Sequence, residues 1–114
     1  MSGKKRIWKI RFVKNYPGAA NHLMVGEVVE QTPMYVSIKG KTYHYGKTLS
    51  RLADIKVGMV TTRIVPWGRI EVIHEMPEGL DYAAAKLVAG EDGTVALKDD
   101  VHTYPIFNAY EKIY

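Results

Sequence analysis

GEVVEQTPMYVSIKGKTYHY, residues 26 to 45, is the stretch on which the reading of this chain turns. Met34, Val36 and Ile38 alternate with Tyr35, Ser37 and Lys39, a period of two that belongs to a strand with one apolar and one polar face. Before it, HLMVGEVVEQ (residues 22 to 31) is apolar and β-branched around Gly26. A lone glycine in such a run marks a bulge, a bend or a close backbone approach. Thr32 and Pro33 break the two runs apart. Gly40 and Lys41 sit where a two-residue turn would fall. TYHY then puts Tyr43 and Tyr45 on one face and Thr42 and His44 on the other, either as a short fourth strand or as a continuation of the third.

The same stretch runs on into GKT (residues 46 to 48), the ending of a phosphate-binding loop. That loop needs Gly, four residues, then Gly, Lys and Ser or Thr at a helix N-terminus, so that consecutive backbone N–H groups wrap the phosphates. Here Gly40 and Gly46 are separated by five residues, the intervening tyrosines favour strand, and no clear helical pattern follows Thr48. Spacing and context reject nucleotide binding by this loop.

Outward from this centre, IWKIRFV (residues 7 to 13) sets Trp8, Ile10 and Phe12 against Lys9 and Arg11, a strand with a basic face. NYPGAAN (15 to 21) reads as a loop, and KTLSRLADIKVG (47 to 58) as a helical turn or an irregular crossing. MVTTRIV (59 to 65) and RIEVIHE (69 to 75) flank Pro66, Trp67 and Gly68, whose turn chemistry predicts a tight hairpin with Trp67 at an exposed tip. EGLDYAAAKLVA (78 to 89), followed by Gly90, predicts a helix. TVALK (94 to 98) and HTYPIF (102 to 107) predict short strands, with Pro105 placing the latter at an edge. The expected fold is mostly β: a five-stranded, strongly bent antiparallel barrel over residues 1 to 76, and an acidic extension over 77 to 114 with a helix and short terminal strands, packed on the barrel as one compact unit.

Composition agrees with a single folded domain: 114 residues, 46% hydrophobic and 25% charged. Absence of cysteine removes disulfides and thiolate metal sites and suits a reducing compartment. Met1 to Lys14 lacks the unbroken apolar segment of a signal peptide, and no apolar run reaches membrane-spanning length, so the expectation is a cytoplasmic protein without a membrane partner. His22, His44, His74 and His102 are scattered without metal-ligand spacing. No serine has a nucleophile context, and no carboxylates are paired for acid and base work. These patterns predict no catalysis, metal or cofactor.

Charge is divided unevenly. Residues 1 to 70 hold 13 Lys and Arg against three acidic residues, a net of +10, whereas residues 71 to 114 hold three against nine, a net of −6. Either an anion-binding body carries an acidic appendage, or the two parts face and neutralise each other. In the basic part, cations interleave with aromatics: Lys4, Lys5, Arg6, Trp8, Lys9 and Arg11; then Lys39, Lys41, Tyr43, His44, Tyr45 and Lys47; then Trp67 and Arg69. Lys and Arg neutralise phosphates, and an exposed ring stacked on an unpaired base is worth about 1–3 kcal/mol. Trp8, Tyr43 and Tyr45 suit a small core as well as they suit a contact surface. Tyr35, opposite the apolar side of its strand, and Trp67, at its turn, are the better stacking candidates.

Residues 22 to 50 resemble the core of the Sm-like family, above all its bacterial Hfq branch. GEVVEQTPMYVSIKG (26 to 40) keeps that family's order of glycine-bent strand, polar turn and strand ending in Lys and a turn residue. Tyr45, Gly46, Lys47, Thr48, Leu49 and Ser50 echo its Tyr-Lys-His-hydrophobic-Ser segment. In a second register, Ile64 to Ile70 resemble the later Sm motif. The opening helix, the polar residues of the Sm turn and the Hfq histidine have no counterpart. The resemblance implies an SH3-like barrel whose edges join subunits into a homo-oligomeric ring. It also implies non-catalytic binding of single-stranded RNA, with Tyr35, Lys39, Lys41, His44, Lys47, Trp67 and Arg69 as the RNA-binding residues. The rival expectation is an SH3-like protein–protein interaction or assembly module without nucleic acid.

Overall fold

Two antiparallel sheets account for most of the computed structural model, which describes residues 5–15, 19–46, 51–90 and 92–108. The period-two segments become β1 (Ile7–Phe12), β2 (Asn21–Gln31) and β3 (Tyr35–Tyr45). After a 3₁₀ turn at Leu52–Asp54 come β4 (Lys56–Val57) and β5 (Thr61–Pro66); a second 3₁₀ turn, Trp67–Arg69, leads into β6 (Ile70–Met76). These six strands form one sheet in the order β4-β3-β2-β1-β6, with β5 paired to the other stretch of the same β3 edge that holds β4. A second sheet holds β7 (Lys86–Ala89), β8 (Thr94–Lys98) and β9 (Thr103–Asn108) in sequence order.

Alternation distributes the apolar side chains to both faces of the larger sheet. One face gathers Trp8, Ile10, Phe12, Met24, Val36, Ile38 and Val65 into a core of its own. The other presents Ile7, Leu23, Val25, Tyr43 and Tyr45, which the chain beyond Pro77 covers with Leu80, Tyr82, Val95, Leu97, Ile106 and Phe107. Polar contacts tie this cover down: Tyr82 Oη donates to Glu27 Oε1 at 2.5 Å and Lys9 Nζ to the Ile106 carbonyl at 2.7 Å. Tyr45 stacks on Phe107 with ring centroids 3.9 Å apart. Burying each large apolar side chain supplies about 1.5–3 kcal/mol, so neither face is left to water.

Several expectations are corrected. The chain has more than five strands, and Gly40 and Lys41 make no turn, because β3 pairs with β2 without a break from Tyr45 back through Ile38. β5 and β6 are not a hairpin: β5 pairs with β3 and β6 with β1, so the single 3₁₀ turn joins opposite edges of the sheet. No helix forms over residues 78 to 89. Asp81 seeds one turn, its side chain accepting the Ala84 N–H at 3.1 Å and its carbonyl the Ala85 N–H at 2.8 Å. Leu80, Tyr82 and Ala85 are then buried, and the chain leaves as β7 to pair with β8. Alanine's advantage in a helix is a few tenths of a kcal/mol per residue, which pairing and burial outweigh. Pro105 does lie on an edge strand, β9. Among the described residues no helix is long and apolar enough to cross a membrane.

Gly26 and Gly40 face each other across β2 and β3, in the same cross-strand row as Trp8. A Cβ on Gly26 would meet the Lys39 carbonyl oxygen and lie 2.7 Å from Gly40 Cα; one on Gly40 would meet the Val25 carbonyl oxygen and lie 2.5 Å from Gly26 Cα. Backbone atoms in a paired ladder have nowhere to move. Gly26→Ala or Gly40→Ala should therefore lose about 3 kcal/mol or more in urea unfolding. Gly68→Ala, where nothing lies within 4 Å of the new methyl, should stay within about 0.5 kcal/mol of the parent.

Candidate nucleic-acid interface

Four of the expected RNA-binding residues, Tyr35, Lys39, Lys41 and His44, lie along β3. Tyr35 opens the strand, half-buried, with its hydroxyl donating to Glu30 Oε1 at 3.0 Å. That bond, together with the Glu30 charge, raises the phenol's pKa above its ordinary value. Lys39 is exposed and Lys41 half-buried; strand alternation puts both on the Tyr35 face. His44 lies on the opposite face. Lys47 lies outside the described residues.

Trp67 and Arg69 share one 3₁₀ turn but reach in different directions. Trp67 does not stand at an exposed tip: it packs against the Trp8 core, and its indole N–H donates to the Thr32 carbonyl at 2.7 Å. Thr32 is a fixed point, since its hydroxyl accepts the Met34 and Tyr35 N–H groups at 3.1 and 3.0 Å. Trp67 and Tyr35 thus come together at the turn between β2 and β3. Arg69 is exposed and donates to Asn15 Oδ1 at 2.8 Å. It lies toward the opposite end, where its charge acts on His22.

Among the other aromatics the core wins. Trp8 is 5% exposed, with Nε1 donating to Glu75 at 3.1 Å and the Arg6 guanidinium 5.2 Å from its ring centroid. Tyr43 is fully enclosed, and burial pushes its phenol up to about 12. Tyr45 belongs to the Phe107 stack.

Comparison of the chain with protein-family models, with curated proteins and with solved structures finds no match. The functional reading therefore rests on the chain's own residues. From Gln31 to Ile70 the sequence contains one acidic residue, Asp54, which the neighbouring Arg51 engages at 3.4 Å. Strands β3, β4 and β5 carry Lys39, Lys41, Lys56 and Arg63 and no carboxylate at all. None of these four cations has an ion-pair partner among the described residues, whereas Lys5, Arg6 and Arg11 each face a glutamate on β2 or β6. Lys56 and Arg63 were absent from the sequence-based set, although the carboxylate-free run that holds them is visible in the sequence.

A further feature escaped the sequence altogether. Phe12, His22 and His44 lie side by side on β1, β2 and β3, with ring centroids 4.1 and 3.9 Å apart. Burial lowers the His22 pKa to about 4, with smaller contributions from the charges of His44, Arg63 and Arg69. Burial also lowers that of His44, with Arg63 and Lys56 adding to the effect. Both shifts favour the neutral rings. Among the described residues no group of three or more His, Cys, Asp and Glu is placed to hold a metal ion.

A histidine held neutral in the folded chain but free to protonate in the unfolded one favours unfolding as pH falls from about 6.5 toward 4. Urea midpoints should fall across that window. His22→Phe, which keeps a ring in the stack, should remove a part of the slope on the order of 1 kcal/mol after allowance for solvent screening. An unchanged slope in this variant would show that His22 is not its source.

Proposed function

We propose that this chain is a non-catalytic binder of single-stranded RNA, built on a small bent barrel. The observation that carries the reading is that β3, β4 and β5 bear Lys39, Lys41, Lys56 and Arg63 and no carboxylate, with Lys39 and Lys41 on one face of the sheet and Lys56 and Arg63 on the other. Phosphate neutralisation with counterion release needs cations that no protein carboxylate already occupies. Lys39, Lys41, Lys56 and Arg63 meet that condition, and Arg69, held only by neutral acceptors, adds to them. Tyr35 is the stacking ring at the end of the strand. Trp67, braced by Thr32, holds that end in place. Lys47 and His44 complete the set expected from the Sm-like resemblance.

Pairing of β5 with β3 and of β6 with β1, joined by one 3₁₀ turn, supports closure of the larger sheet into the barrel. The outer edges of β5 and β6 have no partner strand among the described residues. Such edges favour addition of another strand, which supports a ring of subunits joined edge to edge. Their charges are complementary: β5 bears Arg63, and β6 bears Glu71 and Glu75.

The competing reading is an assembly module without nucleic acid, favoured by the exposed side chains of Met34 (76%) and Ile64 (66%). Fluorescence anisotropy with labelled oligo(U) and oligo(A) separates the two. The RNA reading expects binding at low salt with a slope of log K against log salt of about −3 for four phosphate contacts. It further expects the Lys39→Ala, Lys41→Ala double variant to bind about tenfold more weakly with a shallower slope. Absence of binding at low salt overturns it. Sizing then tests the ring separately, a monomer excluding it.

A further inference from the structure

Strand register sets a carboxylate directly opposite one of the cations that the RNA surface uses. Glu27 on β2 faces Lys39 on β3, and on its other side Lys39 faces Thr62 on β5. Opposite charges in such a position ordinarily pair. These two do not: Lys39 has no ion-pair partner among the described residues, and the Glu27 carboxylate is taken from outside the ladder. Tyr82 Oη donates to Glu27 Oε1 at 2.5 Å, and the ammonium of Lys5 lies 3.6 Å from the same oxygen. Tyr82 is only 7% exposed. A hydrogen bond to a charged acceptor in so enclosed a place outweighs an ion pair formed in water. Glu30, the diagonal neighbour of Lys39 on β2, is engaged too, by Tyr35 Oη at 3.0 Å.

The second sheet fixes the position of Tyr82. Asp99, in the turn between β8 and β9, accepts the Asp81 N–H at 2.9 Å through one carboxylate oxygen and the Val101 and His102 N–H groups through the other. Asp81 in turn closes the turn that buries Leu80, Tyr82 and Ala85 against the larger sheet. We propose that Tyr82 is a positioning residue of the RNA surface, and that by holding Glu27 the chain beyond Pro77 keeps Lys39 available to a phosphate. An extension that is acidic overall thus serves the cationic strand through a phenol. Without that hydroxyl, Glu27 is left with the exposed Lys5 at 3.6 Å, and it turns to the unpaired ammonium directly across the ladder. Lys39 is then no longer free to release counterions from a phosphate. The effect on RNA rests on the function proposed above, whereas the hold on Glu27 is a property of the folded chain alone.

Tyr82→Phe in the full chain keeps the ring in the core and removes only the donor, with the fold checked by urea unfolding. Binding of labelled oligo(U) or oligo(A) at low salt should weaken about threefold, and the slope of log K against log salt should become shallower by about 0.7, as for the loss of one phosphate contact. Glu27→Gln should restore the affinity of the Tyr82→Phe chain and gain more there than in the parent, a rescue that a merely structural role for Tyr82 would not give. A second measurement needs no RNA. The double-mutant cycle of Glu27→Gln and Lys39→Ala in urea unfolding should show no coupling in the parent, and a coupling of about two- to fivefold in the unfolding equilibrium constant in the Tyr82→Phe background. A parent that binds no oligonucleotide overturns the RNA function, and the cycle then decides the hold on its own. Equal coupling in the two backgrounds overturns the hold. In a parent that does bind, unchanged affinity in Tyr82→Phe, or a loss that Glu27→Gln leaves in place, overturns the positioning role.

Discussion

The opposition of Gly26 and Gly40 is the constraint on which the rest of the structure depends. Where every other pair along β2 and β3 carries side chains, these two strands approach with none between them. The row continues to Trp8 on β1, a large ring beside two residues that contribute none. Closeness at one point lets β3 run unbroken from Tyr35 to Tyr45 and still meet two different strands on its outer side, β5 along its first half and β4 near its end. Without that continuity the cationic residues of β3 would sit on separate hairpins.

A sheet with both faces buried keeps free surface chiefly at its edge strands and its ends. The chain beyond Pro77 covers the Tyr43 and Tyr45 side, and the opposite face closes around Trp8 and Ile38. Carboxylates are placed accordingly. Glu27 accepts from Tyr82, and Glu75 is shared by Arg6 and Trp8, so the acids of β2 and β6 are engaged in holding the fold. The cations of β3, β4 and β5 have no such duty. Charge asymmetry along the chain thus has a counterpart in bonding: Glu27 and Glu75 are held in fold contacts, while Lys39, Lys41, Lys56 and Arg63 have no ion-pair partner among the described residues.

Local pattern made much of this legible. Alternation located β1, β2, β8 and β9 within a residue or two, and Pro105 announced an edge, because period two and a missing N–H are properties of a few neighbouring residues. What misled was equally local. Pro66, Trp67 and Gly68 have the chemistry of a hairpin turn, and nothing within that tripeptide tells that the flanking strands pair with β3 and β1 instead of with each other. AAAKLVA has the propensity of a helix, and pairing with the next strand, β8, makes its Lys86–Ala89 part a strand. For the candidate site, Lys39, Lys41 and Arg69 could be read from their spacing among aromatics. The histidine stack could not, since His22 and His44 lie 22 positions apart and meet only through the register of β2 and β3.

That register also explains why the two imidazoles are neutral where cations dominate. A histidine on a basic surface would ordinarily be screened by water and titrate near its usual value. Here Phe12 and His44 flank the His22 ring, and burial lowers its pKa more than the charges of His44, Arg63 and Arg69 do. Burial therefore does two things at one position: it supplies the stacking that aligns β1, β2 and β3, and it disfavours protonation of His22 and His44.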